Sequence, residues 1–152
     1  MSQSIQYREL EYDALDEVEA LWLDLKEYQR SKTNHFHEHY LKVNFADRKA
    51  DLKSKELVKI ILAEGTGNSR VEKIGFCMVS LDNEVGQIES LFVAEDSRRK
   101  GLGGVLLERG IRLLKEHRPR HIRLLVGEGN EDVVSFYQKY GFVKRATQLE
   151  LL

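Results

Sequence analysis

Seven consecutive residues, Arg98-Arg99-Lys100-Gly101-Leu102-Gly103-Gly104, join three cations to three glycines. They lie between an apolar run ending at Val93 and a segment whose Val105, Leu106, Leu113 and Leu114 recur at helical spacing, so the glycines stand where a helix is predicted to begin. Backbone N–H groups at a helix start have no partner inside the helix, and the helix dipole is positive there. Glycines let a ligand come close, so such a turn can hold a pyrophosphate. Glycines that only cap a helix beside solvated cations are the plainer alternative. Two familiar nucleotide cradles do not fit: G-x-x-x-x-G-K-[ST] is absent, and Gly101, Gly103 and Gly104 do not match G-x-G-x-x-G.

A second candidate for chemistry is Glu89, in the predicted strand Val85 to Val93. Strict alternation puts it on the same face as Leu91 and Val93, an odd position for a charge. Partial burial would suit it to accept a proton, whereas pairing with a nearby cation would make it structural. Cys77 lies between Phe76 and Met78 in another predicted strand and reads as a small buried apolar residue rather than a nucleophile. His35, His37 and His39 would not share one face of a helix and lack a completing carboxylate, so no metal site is expected.

The elements that must position these groups follow from pattern. Gln6 to Glu11 is a predicted strand, and Leu15, Val18, Trp22 and Leu25 mark an amphipathic helix. Phe36 to about Lys53 is helical in pattern, with Asn44 able to divide it. Leu57 to Ala63, ending in a Gly65-Thr66-Gly67-Asn68 loop, Ile74 to Leu81 and Val85 to Val93 read as three antiparallel strands, the last two joined by an Asp82-Asn83 turn. A helix from Gly101 ends near Pro119, Ile122 to Val126 is a strand, Glu131 to Tyr140 a helix capped by Asn130, and Phe142 onward strand-like. This is a mixed α/β order with a parallel crossover around the third major helix.

The 152 residues suit one domain spanning 1–152, and 41% hydrophobic with 32% charged residues suits a folded globule. A net charge of -1 argues against a nucleic-acid surface, so any anion site is local. No run reaches the ~20 apolar residues of a membrane span, and neither a basic start nor an apolar run marks the N-terminus as a secretory signal. A single cysteine excludes an intrachain disulfide, and the expected compartment is cytoplasmic.

Arg98-Arg99-Lys100-Gly101-Leu102-Gly103, following Ile88-Glu89-Ser90-Leu91-Phe92-Val93, resembles the [QR]-x-x-G-x-[GA] pattern of the GNAT superfamily of N-acetyltransferases. Asn130, Phe136-Tyr137 and Tyr140-Gly141-Phe142 are similar to that family's downstream N-…-F-Y-x-x-x-G-F block, and the match runs from about Ile88 to Phe142. The resemblance implies a mixed, mostly antiparallel sheet of six to seven strands flanked by about four helices. Its fourth and fifth strands would splay apart around the pantetheine arm of acetyl-CoA.

The cofactor contacts it implies are Leu91, Phe92, Val93, Arg98, Arg99, Lys100, Gly101, Leu102, Gly103, Gly104, Asn130, Phe136 and Tyr137. It implies acetyl transfer to an amine, with Glu89 a base acting through water and Tyr137 a donor to the leaving CoA sulfur. Gln87 stands where histone-modifying members carry their glutamate, which weighs against a histone-type substrate. The implied acceptor region, Gln29 to His35, follows an acidic helix with Asp13, Asp16, Glu17, Glu19, Asp24 and Glu27, which could steer a cationic amine or simply be a solvated face. A non-catalytic acyl-CoA-binding or sensing module is the alternative. A homodimer is compatible, with Gln148 to Leu152 available for pairing.

Overall fold

The two longest apolar runs make the centre of a sheet. In a computed structural model, which describes residues 4–67 and 69–152, β1 (Ser4–Glu11), β2 (Leu57–Gly67), β3 (Arg70–Asp82), β4 (Val85–Val93) and β5 (His121–Leu124) lie in the order β1-β2-β3-β4-β5. All neighbours are antiparallel except β4 and β5. The parallel pair needs a crossover, and α4 (Leu102–Glu116) supplies it.

Alternation along β2 and β3 feeds two cores. Ile60, Leu62, Phe76 and Met78 face one side, where they meet a 3-10 segment (Tyr12–Val18), α1 (Glu19–Lys32) and α3 (Phe45–Lys53). Ile61, Ala63, Cys77 and Val79 face the other and meet α4. Leu106, Leu107 and Leu114 of α4 are wholly buried there, each worth about 2 kcal/mol of hydrophobic transfer. Helix and sheet touch closely at Gly110, where a Cβ would stand 2.7 Å from the Cys77 sulfur.

Asn44 does divide the second helical stretch, separating α2 (His37–Lys42) from α3, and its side chain accepts the Asp47 N–H at 2.8 Å as an N-cap. The β3–β4 turn falls at Asn83-Glu84 rather than Asp82-Asn83, with φ of 49° and 65°; a two-residue hairpin loop needs both residues left-handed. Gly65 to Gly67 extend β2 instead of forming a loop, because they pair with Arg70 to Glu72; Asn68 is outside the described residues.

The last elements depart furthest from expectation. The helix expected over Glu131 to Tyr140 is a 3-10 turn (Glu131–Val133) followed by the short α5 (Val134–Gln138). No strand follows Phe142: residues 143–152 have no regular structure and are exposed throughout. The sheet therefore has five strands among the described residues, not six or seven, since the segment read as a strand has no neighbour to pair with.

β4 and β5 diverge as expected. Their ladder runs only from Val85↔His121 to Ile88↔Leu124, and β4 continues to Val93 with that edge unpaired. The divergence begins where the β3–β4 register also slips, Val79 facing Ile88 and Met78 facing Ser90, which leaves Glu89 as the extra residue of a bulge. A bulge bends and twists its strand, so one irregularity frees β4 from β5.

Candidate functional site

The basic turn sits where β4 hands over to α4. Gly101 is the residue before the helix, with φ 77°, and Arg99 is also left-handed at φ 66°. The first bond of α4 is Val105 N–H to Gly101 C=O at 3.3 Å, leaving the N–H groups of Leu102, Gly103 and Gly104 ahead of the ladder. A Cβ on Gly101 would meet nothing within 4 Å, and one on Gly103 only the Phe136 ring at 3.6 Å. Gly104 differs: a Cβ there would lie 2.1 Å from the Tyr140 hydroxyl, so its glycine seats the α5 region against α4.

The side chains of the stretch divide in role. Arg99 and Lys100 are exposed, whereas Leu102 is buried and presents only its backbone. Arg98 turns inward: its Nε donates to the Val93 carbonyl at 2.8 Å, and its guanidinium lies 5.0 Å from the Tyr28 ring centre and 5.3 Å from that of Phe92. It pins the turn between β4 and α1 by a hydrogen bond and cation–π contacts. Leu91 and Val93 lean toward α4, and Phe92 is buried in the α1 side core.

Glu89 does not share a face with Leu91 and Val93. The bulge inverts the alternation, so Glu89 points to the α3 side with Ser80, while Ile88, Leu91 and Val93 pack on the α4 side. Its side chain is only 4% exposed. One carboxylate oxygen accepts from the Arg48 guanidinium at 2.7 Å, the other from the Ser80 hydroxyl at 2.5 Å. Arg48, on α3, was invisible to sequence reasoning, since nothing in its neighbourhood marks it among the chain's many cations.

Tyr137 approaches from the opposite face. It packs edge-on against Phe136 and Phe142, with ring centres 5.2 and 5.9 Å away. Burial, with Cys77 nearby, pushes its hydroxyl up to about 12, so it stays a neutral donor. Cys77 itself is fully buried and its thiol is pushed up to about 12 by desolvation, which leaves no thiolate for nucleophilic attack.

Asn130 precedes the 3-10 turn, yet its side chain makes no capping bond; the expected cap is replaced by Val133 N–H to the Asn130 main-chain carbonyl at 3.2 Å. Its Oδ1 is buried and has no partner, an acceptor that invites a donor from a ligand.

Glu128 is the residue that the sequence reading missed. Its carboxylate accepts from Thr33 Oγ1 at 2.7 Å, Asn34 Nδ2 at 2.8 Å, Asn34 N–H at 3.0 Å and His35 N–H at 3.1 Å. The Thr33 hydroxyl, then the Asn34 and His35 donors, hold it down to about 2. Beside it Gly129, at φ 92°, has no room for a Cβ, which would stand 2.0 Å from the Lys32 carbonyl oxygen. An acidic residue between two glycines just after a strand was the available signal.

Among the described residues no group of three or more His, Cys, Asp or Glu side chains stands together as a metal site, and no helix is long and apolar enough to cross a membrane.

The acetyltransferase (GNAT) family model matches residues 17–142. An uncharacterised N-acetyltransferase of Methanocaldococcus jannaschii is 34% identical over 62 residues, covering 41% of this chain and 27% of that protein. The peptidyl-lysine N-acetyltransferase YjaB of Escherichia coli is 33% identical over 93 residues, covering 58% of this chain and 56% of that protein. The chain thus matches about a quarter and about half of the lengths of these two relatives.

A putative acetyl transferase from Pyrococcus furiosus superposes with a TM-score of 0.73 at 23% identity, over 97% of this chain and 99% of that one. The PaiA N-acetyltransferase of Thermoplasma acidophilum, solved with coenzyme A, gives 0.66 at 20% identity, over 95% and 93%. At such identities the structures attest the fold alone. The family model spans most of the sequence and includes both glycine turn and α5, and on that ground the chain belongs to the acetyltransferase (GNAT) family.

Proposed function

We propose that the chain transfers the acetyl group of acetyl-CoA to a primary amine of a small molecule or protein, by direct attack within a ternary complex. The observation that carries this reading is the start of α4, where Gly101 and Gly103 leave open space over N–H groups that the helix cannot satisfy. The buried, unpartnered Oδ1 of Asn130 fits the same ligand, since an amide of the pantetheine arm would donate to it. The Thermoplasma neighbour's coenzyme A complex supports the choice of donor.

In this reading the amide groups of Arg99 to Gly104 hold the diphosphate, and main-chain N–H groups of Leu91 or Phe92, on the freed part of β4, polarise the thioester carbonyl. Phe136 walls the gap. The neutral amine attacks the carbonyl carbon, the new C–N bond forms, the C–S bond breaks, and the surplus proton on nitrogen passes through water to the departing sulfur, which leaves as the CoA thiol. An alkylammonium must first lose a proton, at a cost of about 5 kcal/mol at pH 7. Glu89 receives that proton through water, in competition with Arg48. Tyr137 donates a hydrogen bond to the departing sulfur. With its hydroxyl near 12, full transfer to a thiolate would be uphill by about 5 kcal/mol, so the bond stabilises the sulfur without surrendering the proton.

Lysine side chains are one acceptor class, as the name of the Escherichia coli relative suggests for that protein; polyamines, amino sugars and protein N-termini are others. The cytoplasm is the proposed compartment. The engagement of both Glu89 oxygens favours a second reading, an acyl-CoA-binding or sensing module without turnover. Thiol release from acetyl-CoA and longer acyl donors, measured against an amine panel, separates the two: amine-dependent release supports transfer, and tight binding with no release supports sensing.

A further inference from the structure

The face of the sheet that carries α1 and α3 changes character at β4. On β2 and β3 it is apolar, with Ile60, Leu62, Phe76 and Met78 buried under those helices. On β4 and β5 it is polar. Gln87 lies opposite Ser80 and Ser90 opposite Met78, so both share that face, and neither is fully buried. Arg123 lies opposite Gln87, and its neighbours Ile122 and Leu124 pack on the α4 side, so alternation turns Arg123 onto the same face, where it is exposed. This strip adjoins the stretch where β4 parts from β5, and its charges are unequal. Glu89 and Arg48 cancel each other at 2.7 Å, and Glu128 spends its oxygens on residues 33–35, whereas Arg123 forms no ion pair among the described residues. Three of the six acids that could steer a cation are already paired: Asp16 meets Lys49 at 2.8 Å, Glu17 meets Arg8 at 2.6 Å, and Glu27 meets Arg30.

Granted the acetyl transfer proposed for this chain, we infer that its acceptor is a small amine bearing a carboxylate, with the carboxylate held by Arg123 and the nitrogen directed to the freed part of β4. A guanidinium fork matches a carboxylate in plane and in charge, while a phosphate would leave negative charge unmatched. A polyamine would set its second cation against Arg123. Spacing limits the length of the acceptor. Gln87, the register partner of Arg123, precedes Leu91 by four residues, about 13 Å of strand. The long arginine side chain covers part of that distance, so a few bonds separate carboxylate from nitrogen, as in γ-aminobutyrate. Close packing favours a small molecule over a protein chain. Besides the Glu128 bonds to residues 33–35, a Cβ on Gly127 would stand 2.8 Å from the Tyr40 hydroxyl, and one on Gly129 would meet the Lys32 carbonyl oxygen. These contacts close one end of the strip to a polypeptide lying across it.

The test is thiol release from acetyl-CoA with a series of ω-amino acids, from β-alanine through γ-aminobutyrate to ε-aminocaproate, each against its neutral amide, and with spermidine. We expect kcat/KM for the best carboxylate to exceed that for its amide on the order of tenfold, the weight of a charge-assisted pair, and spermidine to be slowest. Arg123→Gln should bring that ratio close to one and Arg123→Glu should invert it, a change of selectivity that a general loss of stability does not produce. Equal rates for carboxylate and amide at every length in the parent chain, or a ratio that survives Arg123→Gln, would overturn the acceptor class while leaving acetyl transfer standing. If no amine releases thiol, calorimetry of the same pairs into the chain saturated with acetyl-CoA decides. Tighter binding of a carboxylate, lost in Arg123→Gln, upholds the Arg123 site without turnover, and equal or undetectable binding ends it.

Discussion

The turn at Arg98–Gly104 and the pair of carboxylates Glu89 and Glu128 organise their surroundings by opposite means. The turn works by leaving things out: glycines remove side chains so that main-chain N–H groups lie open at the start of α4. The carboxylates work by gathering. Glu89 draws Arg48 of α3 and Ser80 of β3 to the bulge, and Glu128 collects donors from Thr33, Asn34 and His35. Added atoms should therefore damage the first region and removed atoms the second.

The largest expected effect is at Gly103. Gly103→Asp places a carboxylate where the diphosphate is proposed to bind, while the fold has room for its Cβ. Acetyl-CoA affinity should fall on the order of a hundredfold by calorimetry, consistent with losing charge-assisted hydrogen bonds, and the melting temperature should hold. Gly104→Ala should do the reverse, since its Cβ would collide with the Tyr140 hydroxyl. A loss of about 1–3 kcal/mol in stability is expected there from overpacking. If both variants lost stability alike, the distinction between the two glycines would fail.

Next comes Arg48→Met, which strands a carboxylate that is almost fully buried. Breaking such a pair costs roughly 3 kcal/mol, less whatever relief the partial exposure of Arg48 gives. Denaturant unfolding should show Glu89→Gln to be milder, because the amide can keep the Ser80 bond. Kinetics then probe the proposed base: Glu89→Gln should slow transfer most at low pH, where free amine is scarce, and an unchanged rate across pH would remove Glu89 from the chemistry.

Glu128→Ala is a smaller and more selective break. It releases the 33–35 connection without touching the turn, so KM for the amine should rise on the order of tenfold while acetyl-CoA affinity stays near that of the parent chain. Equal weakening of both ligands would mean that the loop of Glu128 serves the cofactor side instead.

Legibility followed the same division. The turn and the α5 block could be read because their residues are contiguous and their demands are local, glycine at a helix start and aromatic residues on a short helix, whereas the splayed strands were expected only through the family resemblance that those two blocks carry. The face of Glu89 could not, since a single bulge residue inverted the alternation for the rest of β4. Arg48 and Glu128 act across 41 and 94 positions of sequence, and no local pattern records such a pairing. The strand expected after Phe142 failed for a related reason, because a strand exists only beside an edge it can pair with, and nothing in residues 143–152 states where such an edge lies.

The smallest effect concerns Tyr137, the half-buried counterpart to the charged face. Its hydroxyl and the Cys77 thiol start from ordinary values of 10.0 and 9.0, and burial carries each up to about 12. Below about pH 8 both groups stay protonated whether the chain is folded or not, so neither makes stability depend on pH. Between about pH 8 and 12 the unfolded chain releases protons that the folded chain keeps, first from the thiol and then from the phenol, and stability falls as pH rises. Tyr137→Phe removes one of these groups, so the decline in unfolding free energy between pH 10 and 12 should become shallower than in the parent chain. The same variant should lower kcat about fivefold, the weight of one hydrogen bond, with little change in acetyl-CoA affinity. A pH slope no shallower than that of the parent would place the Tyr137 hydroxyl in water rather than against Cys77, and its proposed contact with the leaving sulfur would fall with it.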